Sequence, residues 1–296
     1  MKLGYIGLGK MGLNQALRLH EKGHEVLVWN RSEGPRKEAE ARGIRSFAAL
    51  DDLVKSLEAP RTLWIMVPNN AVDEVISQLL PLMSEGDTLI DGGNTYYKDT
   101  TRRAEDLRTK GLKFLDAGVS GGPHGARDGA CIMIGGEKED YDRLEPLWRD
   151  LSVEKGYAYM GGHGAGHFVK MVHNGIEYGM MQAIAEGFEI MKKSPFSLNL
   201  TKVADVYQHG SVVESRLIGW LEQGFKEYGE DLAEITPAVA HTGEGEWTVK
   251  AGEEFGVETP VIKASFDFRV HSAEKPSFAG KVLSTLRNMF GGHQAK

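Results

Sequence analysis

The amino-acid sequence predicts two consecutive domains, an α/β domain with a doubly wound sheet followed by an all-α domain. The chain has 296 residues, which is long enough for two compact domains. In the first half, short apolar runs that are typical of buried strands alternate with helical segments. After about residue 165 the strand signals end and helical patterns continue. We therefore predict domains at residues 1–165 and 166–296.

The first domain begins with a dinucleotide-binding signature. Residues 2–6 (KLGYI) form a predicted strand, a glycine-rich turn follows, and the helical segment NQALRLHEKG leads to a second strand, HEVLVWN. In such a GxGxxG turn the glycines permit a tight bend, close approach of a pyrophosphate, and close packing of helix against strand. The helix N-terminus supplies amide donors to the phosphates. This order predicts a Rossmann-type domain with a cofactor-binding turn made of Gly7, Leu8, Gly9, Lys10, Met11 and Gly12.

The residues at the end of the second strand indicate which nicotinamide cofactor is used. NAD-specific domains usually place an Asp or Glu here to bind the ribose 2′-hydroxyl. This chain has Asn30, Arg31 and Ser32 instead, with Arg36 and Lys37 close behind. An arginine beside a hydroxyl favours a 2′-phosphate, which a carboxylate would repel. We predict NADP as the cofactor; the alternative is that Arg31 only stacks on the adenine and that NAD is used as well.

Three further predicted strands end in polar or glycine-rich segments. They are RTLWIMVP, DTLIDGGN and LKFLDAGV, and the helical stretches between them indicate a parallel sheet. Ligands of open α/β sheets bind at the carboxyl ends of the strands. Each segment taken alone is also explained as a tight turn. Their occurrence on successive strands predicts a ligand site at residues 67–69, 91–94 and 118–123, with Val67, Pro68 and Asn94 as candidate cofactor contacts.

The longest predicted helix carries four polar side chains on one face. The segment GHFVKMVHNGIEYGMMQAIAEGFEIMKK is typical of one helix of about 28 residues. Lys170, His173, Asn174 and Glu177 are spaced i, i+3, i+4 and i+7, so they share a face. A polar stripe among apolar neighbours is costly to bury unless its groups are paired or used. We predict that the four are functional; the alternative is the solvent-facing stripe of an amphipathic helix.

Further helices are predicted in TKVADVYQHG, VVESRLIGWLEQGFKEY and ETPVIKASFDFRVHSAEK. The chain ends in FAGKVLSTLRNMFGGHQAK, which contains Arg287 and His293 and has the glycine-rich ending of a frayed tail.

Composition and charge exclude several functional classes. A net charge of −7 argues against a nucleic-acid-binding protein. The single cysteine, Cys131, excludes an intrachain disulfide, and its apolar neighbours predict that it is buried. No apolar stretch approaches the roughly 20 residues of a membrane span, and the N-terminus does not resemble a signal peptide. We expect a cytoplasmic protein with no membrane contact and no metal site, because its neighbouring histidines lack partners at ligand spacing.

Seven motifs together resemble those of the β-hydroxyacid dehydrogenases over nearly the whole chain. They are GLGKMG, NRS, MVP, DGGN, GVSGG, KMVHNGIEYG and the closing FGGH. The wider family shares a lysine and an asparagine four residues later, as Lys170 and Asn174 stand here. Glu177, Tyr178 and the FGGH ending resemble the phosphogluconate branch in its short form. The resemblance implies NADP-linked oxidative decarboxylation of 6-phosphogluconate to ribulose 5-phosphate and CO2, a reaction of the pentose phosphate pathway.

The resemblance implies an acid and a base on one helix for that reaction. Lys170, kept neutral by desolvation and positive surroundings, is expected to remove the hydroxyl proton as hydride leaves for the nicotinamide. Once protonated, it would donate to the developing carbonyl oxygen while CO2 is lost. Glu177 is expected to protonate the enediol that results. His173 and Asn174 would orient the substrate hydroxyls.

Contacts to the rest of the substrate are implied in the same way. The substrate carboxylate and hydroxyls would be held by Asn94, Ser120, Gly121 and Gly122. Tyr178 and Arg269 would bind the phosphate. Thr242 stands where longer relatives carry a phosphate-binding lysine, so the positive charge at the phosphate must come from another residue.

Arg287 and His293 match a tail that reaches into the active site of a neighbouring subunit. The resemblance therefore implies an obligate homo-oligomer, either a homodimer or a homotetramer.

Two other functions remain open on the sequence. A related dehydrogenase or reductase acting on 3-hydroxyisobutyrate or tartronate semialdehyde needs Lys170 and Asn174 but has no use for Glu177 or a phosphate-binding tail. A catalytically silent dinucleotide-binding protein would need neither, and the intact Lys170 and Glu177 argue against it.

Overall fold

The computed structural model describes residues 1–241 and 243–295, and the chain divides into two compact units, Met1–Lys170 and Met171–Lys296. The predicted boundary at residue 165 coincides with the start of a long helix, within which the division falls.

Unit 1 contains one eight-stranded sheet. The strands are β1 (Lys2–Ile6), β2 (Glu25–Trp29), β3 (Arg45–Phe47), β4 (Thr62–Ile65), β5 (Thr88–Asp91), β6 (Lys113–Ser120), β7 (Ala130–Gly136) and β8 (Ser152–Gly161). Their order in the sheet is β3-β2-β1-β4-β5-β6-β7-β8. The pairs among β1 to β6 are parallel, as predicted. The pair β6–β7 is antiparallel, because residues 121–129 between them are too few for the crossover that a parallel pair needs.

The helices of unit 1 lie between the strands in sequence. They are α1 (Lys10–Glu21), α2 (Glu33–Ala41), α3 (Leu50–Lys55), α4 (Val72–Leu79), α5 (Tyr97–Arg108), α6 (Gly122–Asp128), α7 (Lys138–Arg143) and α8 (Glu145–Leu151). The long helix α9 (Ala165–Lys193) then begins in this unit.

The sheet is buried on both faces because successive strand residues point in opposite directions. Tyr5 and Trp64 stack on one face, with ring centroids 5.9 Å apart, in a cluster that includes Trp148 of α8. Their neighbours Ile6 and Ile65 belong to a separate cluster on the other face. Apolar side chains therefore fill both faces, and polar groups that can meet a ligand are concentrated at the strand ends.

Cys131 does not follow the prediction that it is buried. Its side chain is exposed near the start of β7, opposite Ser120 at the end of β6. The prediction was wrong because the apolar run around Cys131 describes the middle of the strand and not its first residues.

Unit 2 is helical, as predicted. Besides the remainder of α9 it contains α10 (Leu200–Tyr207), α11 (Arg216–Tyr228), α12 (Glu244–Glu254), α13 (Pro260–His271) and α14 (Phe278–Gly291).

Helix α14 corrects the prediction of a frayed tail. Val282, Leu283 and Leu286 are fully buried in the core of unit 2, and the hydroxyl of Ser277 caps the helix by accepting from the Gly280 amide. The glycine-rich ending obscured this apolar face, which the sequence carries at helical spacing.

No helix among residues 1–241 and 243–295 is long and apolar enough to cross a membrane. A cytoplasmic location stays a prediction.

Candidate active site

The glycine-rich turn after β1 has the geometry of a phosphate-binding loop. Gly7 has a φ of +99°, and a Cβ atom there would lie 2.3 Å from the carbonyl oxygen of Met66. A Cβ on Gly12 would lie 2.0 Å from the carbonyl oxygen of Gly7. At Gly9, by contrast, no described atom lies within 4 Å of the Cβ position, so the space above the turn is open. Two glycines thus close the turn tightly, and the third leaves room for a ligand.

The N-terminus of α1, which this turn leads into, suits an anion. The helix begins at Lys10, and within the described residues its N-terminus has no side-chain cap and no acidic residue in the first turn. The positive end of the helix dipole therefore lies at this turn, next to the open space at Gly9. These features fit the pyrophosphate of a dinucleotide cofactor.

Asn30 connects the glycine turn to residues 31 and 32, which are predicted to select the cofactor. Its Oδ1 atom accepts from the amide of Leu8 at 3.0 Å, and its Nδ2 atom donates to Oγ of Ser32 at 3.0 Å. Arg31 and Ser32 are both exposed. The structure therefore brings residues 7–12 and 30–32 together at the end of the first two strands.

A buried carboxylate shapes the loop after β5. Asp91 is fully buried and accepts hydrogen bonds from the amide of Gly93 and from Oγ1 of Thr95, each at 3.0 Å. Asn94, between these two anchored residues, is exposed. A Cβ on Gly93 would lie 2.9 Å from the carbonyl oxygen of Val67, so the loops after β4 and β5 are in close contact. This role of Asp91 was not predicted, although a carboxylate followed by two glycines is a visible signal in the sequence.

The loop after β6 bends through two glycines with positive φ. Gly121 has a φ of +130° and Gly122 a φ of +62°, directly after Ser120. The carbonyl oxygen of Pro123 accepts from Nδ2 of Asn14 on α1 at 3.2 Å. The predicted substrate loop is thus tied to the helix of the predicted cofactor turn.

Asp116 positions the start of α9, and with it Lys170. This fully buried carboxylate on β6 accepts from the amides of Gly164 and His167, each at 2.8 Å. A Cβ on Gly118 would lie 2.4 Å from Cβ of Lys170, so only glycine permits this approach. The close packing puts Lys170 beside the end of β6, two residues before Ser120. Asp116 was missed from the sequence, although an acid inside the apolar strand LKFLDAGV is a recognisable signal.

The other three polar residues of the α9 stripe interact with one another. Nδ1 of His173 lies 3.0 Å from Oδ1 of Asn174 and 3.8 Å from Oε2 of Glu177. The side chains of His173 and Glu177 are 36% and 24% exposed. A half-buried and mutually bonded set differs from the fully solvent-facing stripe that was the alternative.

An arginine cluster lies next to this stripe in unit 2. The guanidinium of Arg269 on α13 stacks on the ring of Tyr178, with Cζ 3.4 Å from the ring centroid, and its Nη2 donates to Sδ of Met181 at 3.5 Å. Arg269 is 3% exposed and Arg287 on α14 is 8% exposed. Neither forms a salt bridge with a carboxylate of the residues that the structure describes, and Nε of Arg269 has no hydrogen-bond partner there.

Burial lowers the pKa of both arginines, because it penalises the charged form, and Glu177 and Tyr178 partly offset this effect on each pKa. Arg287 also contributes to the lowered pKa of Arg269, so the two like charges act on each other. Guanidinium groups nevertheless stay protonated in proteins. Two buried positive charges that form no salt bridge with a carboxylate of residues 1–241 and 243–295 make a site that an anion would stabilise.

Arg287, for which the resemblance implies a role in the active site of a neighbouring subunit, is buried in unit 2. That role stays a prediction. Arg287 lies inside α14, and its charge acts on Arg269 of its own chain. The ring of His293 packs edge-on against Phe290, and its carbonyl oxygen accepts from Nδ2 of Asn288 at 2.7 Å.

Thr242 lies outside the described residues. The helix that follows begins at Glu244, which is 4% exposed and whose charge acts on Arg287. A Cβ on Gly245 would lie 2.6 Å from the ring of Tyr178, so the start of α12 packs directly on that ring.

Comparison with known protein families identifies both units. The model of the NAD-binding domain of 6-phosphogluconate dehydrogenase matches residues 2–171, and the model of its C-terminal domain matches residues 166–289. The chain belongs to the 6-phosphogluconate dehydrogenase family. As a member of that family it is an NAD(P)-dependent oxidoreductase. The family that the motifs resemble is thereby confirmed.

Individual relatives agree with this assignment. The Bacillus subtilis protein YqeC, provisionally named a 6-phosphogluconate dehydrogenase, is 45% identical over 293 residues, which cover 99% of this chain and 98% of YqeC. The NAD(+)-dependent, decarboxylating 6-phosphogluconate dehydrogenase of Haloferax volcanii is 38% identical over 99% of this chain and 98% of its own. The solved 6-phosphogluconate dehydrogenase of Plasmodium falciparum superposes with a TM-score of 0.82 at 28% identity, covering 98% of this chain and 70% of that one.

Proposed function

We propose that this chain oxidises 6-phosphogluconate with NADP and decarboxylates the product to ribulose 5-phosphate and CO2. The observation that carries the proposal is Arg269, a buried guanidinium stacked on Tyr178 and without a salt bridge to any described carboxylate. Tyr178 directly follows Glu177, so the anion site adjoins the polar stripe of α9. With Arg287 it offers two positive charges, which suit a phosphate dianion better than a neutral hydroxymethyl group.

Lys170 is the proposed base. Its approach to Gly118 puts it beside the strand-end loops of unit 1, which the cofactor and the reacting carbons of the substrate would contact. It takes the proton from the C3 hydroxyl as the C3 hydride leaves for the cofactor, which supplies the hydride acceptor when it is bound. The resulting ammonium then donates to the C3 carbonyl oxygen while the C1–C2 bond breaks and CO2 leaves.

Glu177 is the proposed acid for the last step, in which a carbon of the enediol receives a proton. It lies seven residues after Lys170 on the same helix, on the same face. His173 contacts both Asn174 and Glu177, so these three can orient hydroxyl groups of the substrate as a connected set. Asn94, Ser120, Gly121 and Gly122 are the proposed contacts of the carboxylate and the remaining hydroxyls.

The preference for NADP rests on Arg31 and Ser32. Both are exposed, and Asn30 links Ser32 to the glycine turn, so a 2′-phosphate at this place would meet an arginine and a hydroxyl. The Haloferax volcanii relative is named as NAD(+)-dependent, so the family includes enzymes that use either cofactor. Selectivity must therefore be measured on this chain.

We also propose that the protein is a homo-oligomer. Ile176, Met180 and Ile190 are 54%, 45% and 70% exposed along α9, which is unusual for three large apolar residues of one helix. Light scattering after size-exclusion chromatography measures the mass, and a monomer at micromolar concentration would refute the proposal.

A second candidate substrate is an unphosphorylated 3-hydroxy acid. Glu244 supports it, because a buried carboxylate whose charge acts on Arg287 partly neutralises the anion site. The start of α12, where Glu244 lies, would then adjoin a substrate with less negative charge.

Initial rates test these alternatives directly. Formation of reduced cofactor is followed with 6-phosphogluconate, gluconate and 3-hydroxyisobutyrate, each with NADP and with NAD, and CO2 is measured in parallel. We expect the highest kcat/KM with 6-phosphogluconate and NADP, with one CO2 released per reduced cofactor. A higher kcat/KM for gluconate than for 6-phosphogluconate would show that the enzyme prefers the unphosphorylated substrate. Formation of reduced cofactor without release of CO2 would refute the proposed decarboxylation step.

A further inference from the structure

Arg103 on α5 is a buried cation that contacts two carboxylates. Its side chain is 3% exposed. Nε and Nη2 donate to the two carboxylate oxygens of Asp73, at 2.7 and 3.0 Å. Nη1 lies 3.7 Å from Oδ2 of Asp91 and has no hydrogen-bond partner in the described part of the chain. The guanidinium is therefore oriented by Asp73 and acts on Asp91 by its charge.

Each of the two carboxylates lies next to a different ligand loop. Asp91 holds the loop after β5 through the amide of Gly93 and the hydroxyl of Thr95, and this loop presents Asn94. Asp73 lies in the first turn of α4, which directly follows the loop that begins at Val67. Arg103 thus connects the loop assigned to the substrate with a loop assigned to the cofactor.

The connection depends on the shape of arginine as well as on its charge. The planar guanidinium makes a bidentate contact with Asp73 and still directs a third nitrogen towards Asp91. A lysine would keep a positive charge near Asp91, but its single nitrogen cannot bridge two carboxylates with a fixed geometry.

We propose that Arg103 is a positioning residue that sets the separation between these two loops and thereby the placement of the substrate relative to the nicotinamide. It acts through Asp91 on the loop that carries Asn94. The inference rests on the proposed function, in which Asn94 contacts the substrate.

Arg102 provides a matched control. It also donates to Asp73, from Nη2 at 3.1 and 2.9 Å, but its side chain is 50% exposed and it does not contact Asp91. Arg102→Gln and Arg103→Gln each remove one arginine from the same carboxylate. Only the second also removes the cation beside Asp91.

The first test is kinetic. Arg103→Lys keeps a charge in the buried site, so it is expected to fold even if Arg103→Gln does not. We expect Arg103→Lys to lower kcat/KM for 6-phosphogluconate about tenfold, because small misplacements of reacting groups are costly, and Arg102→Gln to change it by less than about twofold. In a protein that already carries Asn94→Ala, Arg103→Lys should lower kcat/KM by less than about a further twofold, since both changes act through one loop. Fully additive effects, or equal effects of Arg102→Gln and Arg103→Lys, would overturn the proposal.

The second test does not depend on turnover. Hydrogen exchange of the amides in residues 92–95 is measured on the whole chain without substrate. We expect exchange about tenfold faster in Arg103→Lys than in the wild type, and unchanged in Arg102→Gln, because only Arg103→Lys loses the fixed geometry between Asp73 and Asp91 that supports this loop. If the wild type does not turn over 6-phosphogluconate, the proposed function fails, and this comparison alone decides the role of Arg103. Unchanged exchange in Arg103→Lys would refute that role.

Discussion

The two units of the chain differ in how they present their proposed ligand-binding groups. In unit 1 the groups are main-chain amides and small polar side chains on loops, and buried carboxylates support them: Asp91 holds the loop after β5, and Asp116 holds the start of α9. In unit 2 the groups are themselves buried and charged, as in Arg269 and Arg287. Negative charge thus supports the structure inside unit 1, whereas positive charge in unit 2 is the proposed contact with the ligand. Backbone geometry should therefore govern the glycine-rich loops of unit 1, and side-chain charge the arginine cluster of unit 2.

The largest effect on activity is expected at Lys170, the charged residue that lies beside the end of β6 in unit 1. Lys170→Ala should lower kcat by about 10³-fold, within the range for loss of a general base, while the Kd for NADP stays within about twofold. Stopped-flow or initial-rate measurements give kcat, and fluorescence titration gives the Kd. Lys193→Ala is the control, because Lys193 is on the same helix and its side chain is 72% exposed. A loss of NADP binding as large as the loss of kcat would show that Lys170 supports the cofactor site instead.

The second prediction concerns the arginine cluster of unit 2. Arg269→Met should lower kcat/KM for 6-phosphogluconate about 100-fold and leave that for gluconate nearly unchanged, because charge-assisted bonds to the phosphate are lost. Arg216→Met is a matched control: Arg216 also stacks on an aromatic ring, with Cζ 4.9 Å from the Trp220 centroid, but it is exposed. If both substrates lose activity equally, Arg269 supports the fold of the unit and does not distinguish the phosphate.

A smaller effect is expected at the cofactor end of unit 1. Arg31→Asp combined with Ser32→Ala should lower the ratio of kcat/KM with NADP to that with NAD about tenfold, because the carboxylate repels the 2′-phosphate. Initial rates at saturating substrate measure the ratio. Lys37→Asp serves as the control, since Lys37 is exposed and pairs with Glu33 on α2. An unchanged ratio in the double variant would assign selectivity to the backbone of the turn.

The smallest expected effect is a pH dependence of stability that arises from Asp73 and the two arginines that bind it in unit 1. The hydrogen bonds from Arg103, together with Arg102, lower the pKa of Asp73 to about 2. An unfolded aspartate titrates near pH 3.9, about two units higher, so this pair stabilises the fold fully above about pH 4 and loses the contribution as the pH falls towards 2. Urea unfolding of the wild type and of Asp73→Asn from neutral to acidic pH measures it. The difference between their free energies of unfolding should shrink below about pH 4. A difference that does not depend on pH would contradict the ion pairing.

The same contrast explains which residues could be predicted. The turn at residues 7–12 and the loops that follow β4, β5 and β6 were recognised because glycines at set spacings and strand ends are local features. The stripe from Lys170 to Glu177 was recognised for the same reason, since one helix sets its spacing. The supports were missed: Asp116 holds α9 from a strand about 50 residues earlier, and Arg103 reaches Asp73 across 30 residues.

The features that the sequence did not predict have the same cause. The antiparallel pair β6–β7, the exposure of Cys131 and the burial of Arg287 all depend on which segments meet in the fold. The ending of the chain was interpreted by its glycines, whereas the apolar residues of α14 at helical spacing are buried in the core of unit 2.

By itself the sequence determined the order of strands and helices, the dinucleotide-binding turn and the polar stripe of α9, because periodicity and short motifs act over a few residues. Only the tertiary structure decided that Arg269 stacks on Tyr178, that Arg287 acts on Arg269 within the same chain, and that a buried Arg103 links two ligand loops. Burial and charge pairing are properties of segments that are distant in sequence. They are set by long-range packing, for which one sequence contains no local signal.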